Sequence, residues 1–509
     1  GQSEPRRLSL FINGRRFIGF GGNWGFGESN LNYREREYDI AVAYHADMNF
    51  TMIRNWVGQI GDKEFYEACD RHGIMVWQDF WLANPVDGPN PYYTEMFNAN
   101  ACDYLKRIRN HPSIGIYVGR NEGNPPAGID DYLRGLVFRE HPGLYYISNS
   151  AMGVVSGGGP YRALSPKSYF QSYGHDKFHS ERGMPNVMNY ESMLLTFGTD
   201  KIEPVNTSET PNPVYGLHDY TLGGGKGSSA QAASSFNDMI EKAFGRPRDA
   251  KQFAEWAQWI NYDGYRAIFE GRSEHRRGML LWMSHSAWPS MVWQTYDYYF
   301  DPNAAYFGCK KASEPLHIQW NPLRDDIEVV NYHAFDRTGL TATASLFNQD
   351  GTLQWTRETK LDIKEDQTVA CFPLEQPETL SDTYFIKLSL TDSDGKQLSD
   401  NFYWRGKEDG NYKSLLQLPK VSVCKNVTVK KTGKEWLIRA VLKNEARTPA
   451  LMLRLKVAGE KSGRMLLPVF YSDNYFSLLP GEVKEVDIRL YDADTYGEKP
   501  VLEVLGFNL

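Results

Sequence analysis

The feature that most constrains the fold is a regular alternation of short apolar runs with helical stretches, from residue 9 to about residue 316. Such alternation is typical of a parallel sheet built from βα units, because parallel strands need long crossover connections. Eight of the runs are predicted strands, which is the number that closes a (β/α)8 barrel. The predicted strands are residues 17–21, 51–56, 74–80, 114–119, 144–148, 169–173, 177–180 and 278–285.

The pattern changes after Leu316, where runs with a two-residue period, such as residues 340–347 and 383–390, are separated by Asp, Gly and Asn turns. This alternation predicts β-sandwich structure of two Ig-like domains, with residues 407–413 as their linker. A chain of 509 residues is also too long for a single core. We therefore predict a multidomain α/β and all-β protein. Its TIM barrel spans residues 1–316, and Ig-like sandwiches span 317–408 and 409–509.

The predicted strands end in residues that could carry chemistry. In (β/α)8 barrels the reactive side chains lie at the C-terminal ends of the strands. The fourth predicted strand runs into Asn121 and Glu122, and the seventh into Glu181 and Arg182. A single glutamate at a strand end is usually a solvated loop residue. A pair at barrel spacing is what retaining glycoside hydrolysis needs, because one carboxyl protonates the leaving oxygen and the other attacks the anomeric carbon. Asn121 and Arg182 are the predicted donors that keep the nucleophile ionised.

Five further residues at strand ends are candidate sugar contacts: Arg54, Trp56, Asp79, Trp282 and Trp288. A carboxylate such as Asp79 could bind vicinal hydroxyls, and it would reject sugars that leave it unpaired. Indole rings could stack on the apolar faces of a sugar. The alternatives are core packing for each tryptophan and a helix cap or structural ion pair for the aspartate.

Composition excludes several classes of function. The net charge is −7 without a basic block, which disfavours nucleic acid, and no apolar run approaches membrane-spanning length. The five cysteines are scattered without a C-x-x-C motif, so neither a disulfide framework nor a zinc site is predicted. We expect no cofactor and no catalytic metal. The compartment stays open, with a periplasmic or secreted location favoured over a cytoplasmic one.

Short motifs spread over nearly the whole chain resemble those of one enzyme family. They are FGGNW at 20–24, IRNW at 53–56, WQDF at 77–80, GRNE at 119–122, FHSE at 178–181, SAWPS at 286–290, YFGCKKASEPLHIQ at 306–319 and YSDNY at 471–475. The family is glycoside hydrolase family 2, in the branch of exo-β-glucosaminidases, β-mannosidases and plant endo-β-mannosidases. The resemblance implies double displacement through a covalent glycosyl-enzyme, with Glu122 as acid/base, Glu181 as nucleophile and Asn121 bonded near C2 of the sugar.

The resemblance leaves the substrate open between two sugars. The WQDF motif favours β-mannosides, which we place first, whereas SAWPS and the C-terminal part favour an exo-β-D-glucosaminidase. An alternative of another class is a non-catalytic barrel that binds an oligosaccharide or glycan. Family members also carry a sugar-binding jelly roll and an Ig-like domain before the barrel. We expect such domains in the same longer protein or in another chain.

Overall fold

A computed structural model describes residues 6–171, 176–207, 209–223 and 233–509. The chain divides into two compact units. The first comprises Gly1–Tyr161, Gln171–Met184 and Gly271–Trp288, and the second comprises Arg162–Phe170, Pro185–Glu270 and Pro289–Leu509. Over the described ranges, no helix is both long and apolar enough to cross a bilayer. The domain boundaries at residues 316 and 408 stay a prediction.

The first unit contains one sheet of eight parallel strands. The sheet order is fifth, fourth, third, second, first, eighth, seventh and sixth, so neighbours in sequence are neighbours in space and the eighth strand pairs with the first. This is the strand order of the predicted TIM barrel, which is confirmed. The strands are Gly19–Trp24, Met52–Asn55, Met75–Asp79, Ile114–Arg120, Tyr145–Asn149, Val155–Ser156, Phe178–Arg182 and Gly278–Leu281.

The prediction of the sixth strand at residues 169–173 is wrong. Pro166–Gln171 forms a helix instead, and Ser172 and Tyr173 lie outside the described residues. The sixth strand is Val155–Ser156, which pairs in parallel with Phe178 and His179. A two-residue strand is too short to show a period, whereas the buried aromatic side chains near residue 169 gave the apolar signal of a strand.

The barrel strands are buried on both faces, which explains their nearly continuous apolar sequence. Their close packing requires glycine at one position of the first strand, since a Cβ on Gly21 would lie 1.6 Å from the carbonyl oxygen of Met52. The helices of this unit are Glu35–Asp47, Lys63–His72, Thr94–Ile108 and Ala127–Glu140, and a short hairpin is formed by Leu10–Ile12 and Arg15–Phe17. The core is filled by Leu8, which precedes the hairpin, and by apolar side chains of the barrel strands: Met52, Trp77, Ile116, Val118, Ile147, Val155, Phe178 and Leu280.

Over its described residues, the second unit combines helices with four antiparallel sheets. Besides most of Pro166–Gln171, the helices described in this unit are Tyr190–Phe197, Pro213–Gly216, Tyr220–Gly223, Ala233–Phe244, Ala250–Glu270 and Ala304–Ala312. Two sets of seven strands follow, each divided into sheets of three and four strands, as expected for Ig-like sandwiches. The first set is Leu316–Asn321, Asp326–Asn331, Arg337–Asn348, Leu353–Ile363, Gln367–Pro373, Thr383–Thr391 and Gln397–Gly406. The second set is Cys424–Thr432, Glu435–Lys443, Ala450–Gly459, Val469–Tyr471, Phe476–Leu478, Val483–Tyr491 and Pro500–Leu505.

Candidate active site

Glu122 follows the fourth barrel strand in a strained backbone conformation. Its φ is 48°, in the left-handed region that costs a residue with a side chain about 1–3 kcal/mol. Its backbone N–H donates to Ser150 Oγ at 2.9 Å, and the preceding Asn121 N–H donates to the carbonyl oxygen of Leu82 at 3.0 Å. These bonds hold the strained turn, and the side chain of Glu122 stays half-buried.

Glu181 lies within the seventh barrel strand and is only 2% exposed. Arg54 Nη1 donates to its Oε1 at 2.7 Å, and the Tyr161 hydroxyl donates to its Oε2 at 2.6 Å. Burial raises the pKa of Glu181 to about 7, against the opposing effect of Arg54 and with the support of the nearby Glu122. Burial therefore outweighs the donors that were expected to keep this carboxylate ionised.

Tyr161 joins the two carboxylates and is a site residue that the sequence did not predict. Its hydroxyl oxygen lies 2.6 Å from Glu181 Oε2 and 3.4 Å from Glu122 Oε1. The two carboxylate oxygens are therefore separated by no more than the sum of these distances, which is below the ~6.5 Å at which inverting pairs begin. Burial raises the pKa of Tyr161 above its usual range, so its hydroxyl keeps its proton.

Arg54 is the centre of the site and is completely buried at the end of the second strand. Besides Glu181, its guanidinium donates to Asp79 Oδ2 from Nε at 3.0 Å and from Nη2 at 2.7 Å. It also donates to Asn121 Oδ1 at 2.7 Å and to Asn23 Oδ1 at 3.1 Å. Burial alone would lower the pKa of Arg54, but Asp79 and Glu181 raise it, so the guanidinium stays charged between these two carboxyl groups.

Asp79 is fully buried, and protein donors occupy both of its oxygens. Apart from Arg54, the backbone N–H of Val57 donates to Oδ2 at 3.0 Å and Trp77 Nε1 donates to Oδ1 at 2.8 Å. This is the structural ion pair that the sequence left as the alternative for Asp79. A direct contact with sugar hydroxyls stays a prediction.

Arg182 does not join Arg54 and Tyr161 as a donor to Glu181. Successive residues of a strand point to opposite faces of the sheet, so Arg182 and Glu181 cannot share a face. The donors come instead from the second strand and from the segment after the sixth. Over the described ranges, no group of three or more His, Cys, Asp or Glu side chains is arranged to hold a metal ion.

Asn121 and two tryptophans lie around the carboxylate pair. Asn121 Oδ1 accepts from Arg54 and, at 3.4 Å, from Ser150 Oγ, whereas its Nδ2 has no hydrogen-bond partner within the described residues. The rings of Trp56 and Trp282 meet edge to face at 5.0 Å, and Trp282 lies 6.3 Å from the ring of Tyr161. Asn121 therefore presents a donor, and the tryptophans form an aromatic wall next to Tyr161.

Trp56 and Trp288 differ in their surroundings. In the described part of the chain, the indole N–H of Trp56 is buried without a partner, as a donor reserved for a ligand would be. Trp288 is 39% exposed, and its carbonyl oxygen accepts a hydrogen bond from Ser286 Oγ at 2.6 Å. The stacking of either ring on a sugar stays a prediction.

Known proteins resemble this chain in sequence over nearly its whole length. It is 27% identical over 613 residues to the mannosylglycoprotein endo-β-mannosidase of Lilium longiflorum and 28% identical over 571 residues to the exo-β-D-glucosaminidase of Streptomyces avermitilis. Both alignments cover 98% of this chain. The model of the exo-β-D-glucosaminidase Ig-fold domain matches residues 401–509. The predicted resemblance to this branch of glycoside hydrolase family 2 is confirmed. The chain spans 63% and 60% of the length of these two curated relatives.

Solved structures show the same fold. The exo-chitosanase CsxA of Amycolatopsis orientalis superposes with a TM-score of 0.89 at 24% identity, covering 98% of this chain and 64% of that protein. The β-D-mannosidase of Dictyoglomus thermophilum gives a TM-score of 0.78 at 20% identity, covering 100% of this chain and 62% of its own. At these identities the likeness establishes the architecture of a barrel followed by sandwiches.

Proposed function

We propose that this chain carries the active site of a retaining β-glycoside hydrolase that acts on β-linked mannosides. Glu122 is the acid/base and Glu181 the nucleophile. The observation that carries the proposal is the hydroxyl of Tyr161, which lies within 2.6 Å of one carboxylate and 3.4 Å of the other. Two carboxyl groups this close leave room for an anomeric carbon but not for the extra water that inversion requires.

The reaction proceeds in two displacements. A Glu181 oxygen bonds to the anomeric carbon while the glycosidic C–O bond breaks and Glu122 gives its proton to the leaving oxygen. Water then attacks the same carbon, its proton passes to Glu122, and the ester bond to Glu181 breaks. Arg54 and Tyr161 hold Glu181 in position for attack, and they stabilise its charge when it leaves again.

The surroundings of Asn121 favour a mannoside over a glucosaminide. Its oxygen is occupied by Arg54, so the group that it offers to the substituent at C2 is an N–H donor. A hydroxyl can accept that bond, whereas a 2-ammonium group would meet a donor beside a buried cation. The exo-β-D-glucosaminidase remains the second candidate, because the matched C-terminal domain carries that name.

We expect Asn121→Asp to shift specificity towards glucosaminides. The new carboxylate could still accept from Arg54 and would now attract the 2-ammonium, raising the ratio of kcat/KM for glucosaminide over mannoside by about tenfold. The measurement is the steady-state kinetics of matched p-nitrophenyl glycosides. Asn124→Asp is the control, because it adds the same charge to an exposed residue of the same loop. If the ratio of kcat/KM for glucosaminide over mannoside changes equally in both variants, Asn121 does not contact the substituent at C2.

We expect activity to rise with pH up to about 7. The pKa of Glu181 is raised from its ordinary 4.5 to about 7, and only the ionised form attacks. The value of kcat/KM should therefore fall about tenfold for each pH unit below 7. The same shift stabilises the fold fully below pH 4.5, and this contribution is lost as pH rises through 7. A pH profile of kcat/KM whose acid limb lies near 4.5 would contradict the assignment.

The proposed function is tested with the intact protein and a panel of 2,4-dinitrophenyl β-glycosides. The expected result is a burst of phenol release followed by slower turnover, with the mannoside as best substrate and the glucosaminide second. A 2-deoxy-2-fluoro analogue should label Glu181, which peptide mass spectrometry can locate. If the intact protein binds β-linked oligosaccharides but releases phenol from no member of the panel, the non-catalytic alternative is correct.

A further inference from the structure

The loop after the third barrel strand is attached directly to the segment that carries Glu122. This loop comprises residues 82–93, and we call it the 82–93 loop. The carbonyl oxygen of Leu82 accepts the N–H of Asn121 at 3.0 Å, next to Glu122 in sequence. On the other side, a Cβ placed on Gly123 would lie 2.9 Å from the ring of Pro85, so the loop also packs against the residue after Glu122.

Arg120 clamps this loop from within the fourth strand. Its guanidinium donates to the carbonyl oxygen of Ala83 at 2.8 Å, to that of Gly88 at 3.2 Å and to Asn90 Oδ1 at 2.7 Å. The side chain is only 3% exposed, and burial lowers its pKa. The three hydrogen bonds come from one planar, rigid guanidinium, and their acceptors lie on Ala83, Gly88 and Asn90, so together they fix the shape of the loop.

The 82–93 loop is further ordered by a turn at Asn84. Its Oδ1 accepts the N–H groups of Val86 at 2.9 Å and Asp87 at 2.8 Å. The loop nevertheless exposes apolar side chains, since Val86 is 94%, Tyr92 90% and Tyr93 74% exposed. An ordered loop that presents two adjacent aromatic rings to solvent, while fixed to a catalytic segment, is suited to hold a ligand.

The chemistry of Glu122 identifies that ligand. The general acid protonates the oxygen of the leaving group, so it must lie on the side of the scissile bond from which that group departs. We propose that the 82–93 loop binds the leaving-group saccharide, with Tyr92 and Tyr93 as the rings that stack on it and Arg120 as the positioning residue. This inference rests on the proposed function and adds to it a site for at least one sugar beyond the bond that is cleaved.

The test compares two substrates of the intact protein that differ only on the leaving-group side. One is the β-1,4-linked tetrasaccharide, of mannose or glucosamine according to which the wild type cleaves, and the other is the matching β-glycosyl fluoride, whose leaving group is a single atom. The double variant Tyr92→Ala/Tyr93→Ala should lower kcat/KM for the tetrasaccharide by about tenfold and leave that for the fluoride within about twofold. Phe138→Ala, which removes an aromatic ring 80% exposed on Ala127–Glu140, is the control and should change neither.

Arg120→Ala tests the clamp. If Arg120 acts through the loop, its variant should also lower kcat/KM mainly for the tetrasaccharide, and the loss should shrink when Tyr92 and Tyr93 are already alanine. If Arg120→Ala instead lowers kcat/KM for both substrates equally, and its effect simply adds to that of the two tyrosine substitutions, Arg120 supports the fold rather than the subsite.

Binding separates failure of the subsite from failure of the proposed function. Titration calorimetry of the Glu181→Gln protein with both tetrasaccharides needs no turnover, and the two tyrosine substitutions should weaken binding about tenfold in that background. Unchanged binding and unchanged tetrasaccharide kinetics would overturn the subsite even in an active enzyme. A wild type that hydrolyses neither the fluoride nor the tetrasaccharide, yet loses binding in the tyrosine variants, would overturn the hydrolase and keep the site.

Discussion

Glu181→Gln is expected to lower kcat for an activated aryl β-glycoside by at least ~10⁴-fold and to abolish the burst of phenol release. The amide keeps the shape of the side chain, and its single oxygen can still accept from one of the two donors to Glu181, Arg54 or Tyr161, but the amide is not a competent nucleophile. Stopped-flow measurement of the first turnover, together with circular dichroism to confirm the fold, checks this result. A variant that still shows a burst would exclude Glu181 as the residue that forms the covalent bond.

Glu122→Gln serves as the comparison for the nucleophile variant. Loss of a general acid should lower turnover by about 10²–10⁴-fold with a poor leaving group and far less with 2,4-dinitrophenol, which departs without a proton. The two variants thus differ in their dependence on the leaving group. Equal losses across a series of phenols would mean that the roles of Glu122 and Glu181 have been assigned incorrectly.

Arg54→Met is expected to destabilise the protein by about 3–5 kcal/mol, because it leaves the buried carboxylates of Asp79 and Glu181 without their cation. Activity should be lost as well, since the guanidinium also holds Asn121. Urea unfolding, followed by the fluorescence of the barrel tryptophans, measures the change in stability. The effect should shrink at low pH, where Glu181, whose pKa is raised to about 7, is protonated and no longer needs the cation.

Arg71→Met is the matched control for the loss of one guanidinium. Arg71 pairs with Asp39 at 2.9 Å, but its side chain is 43% exposed, and such surface pairs contribute about 0–1 kcal/mol. The two variants remove the same group and differ in burial. We call Arg54 and its partners Asn23, Asp79, Asn121 and Glu181 the Arg54 cluster. If the Arg54→Met and Arg71→Met proteins unfold at the same urea concentration, the Arg54 cluster does not stabilise the barrel.

The strands of the barrel could be predicted where they were long enough to show a pattern. Ile114–Arg120 was visible as an apolar run that stops at polar residues, and its position in the sheet agrees with the prediction. Val155–Ser156 could not be found in this way, because two residues have no period and the signal near Tyr169 belongs to a buried helix. The hydrogen-bond partners of the residues at the strand ends could not be predicted, because only the folded sheet brings those side chains together.

The carboxylate pair could be predicted because both glutamates lie at the C-terminal ends of barrel strands, but their hydrogen-bond partners could not. Tyr161 follows three glycines and a proline in a segment without periodicity, and a Cβ on Gly158 would lie 3.3 Å from Glu122 Oε1. Glycine at such a close approach was the one available signal. Asn23, near the end of the first strand, is a second partner of the site that was not predicted from the sequence.

The Arg54 cluster also affects how the protein reaches its native state. Arg54 and Glu181 are 127 positions apart in the chain, and Asn23 Nδ2 bonds the carbonyl oxygen of Ser180 across 157 positions. Contacts of such sequence separation form late in folding, because the loops that they close must be ordered first. Catalytic competence should thus be the last property that a refolding chain acquires, and recovery of activity would report completion of the barrel where recovery of helical content would not.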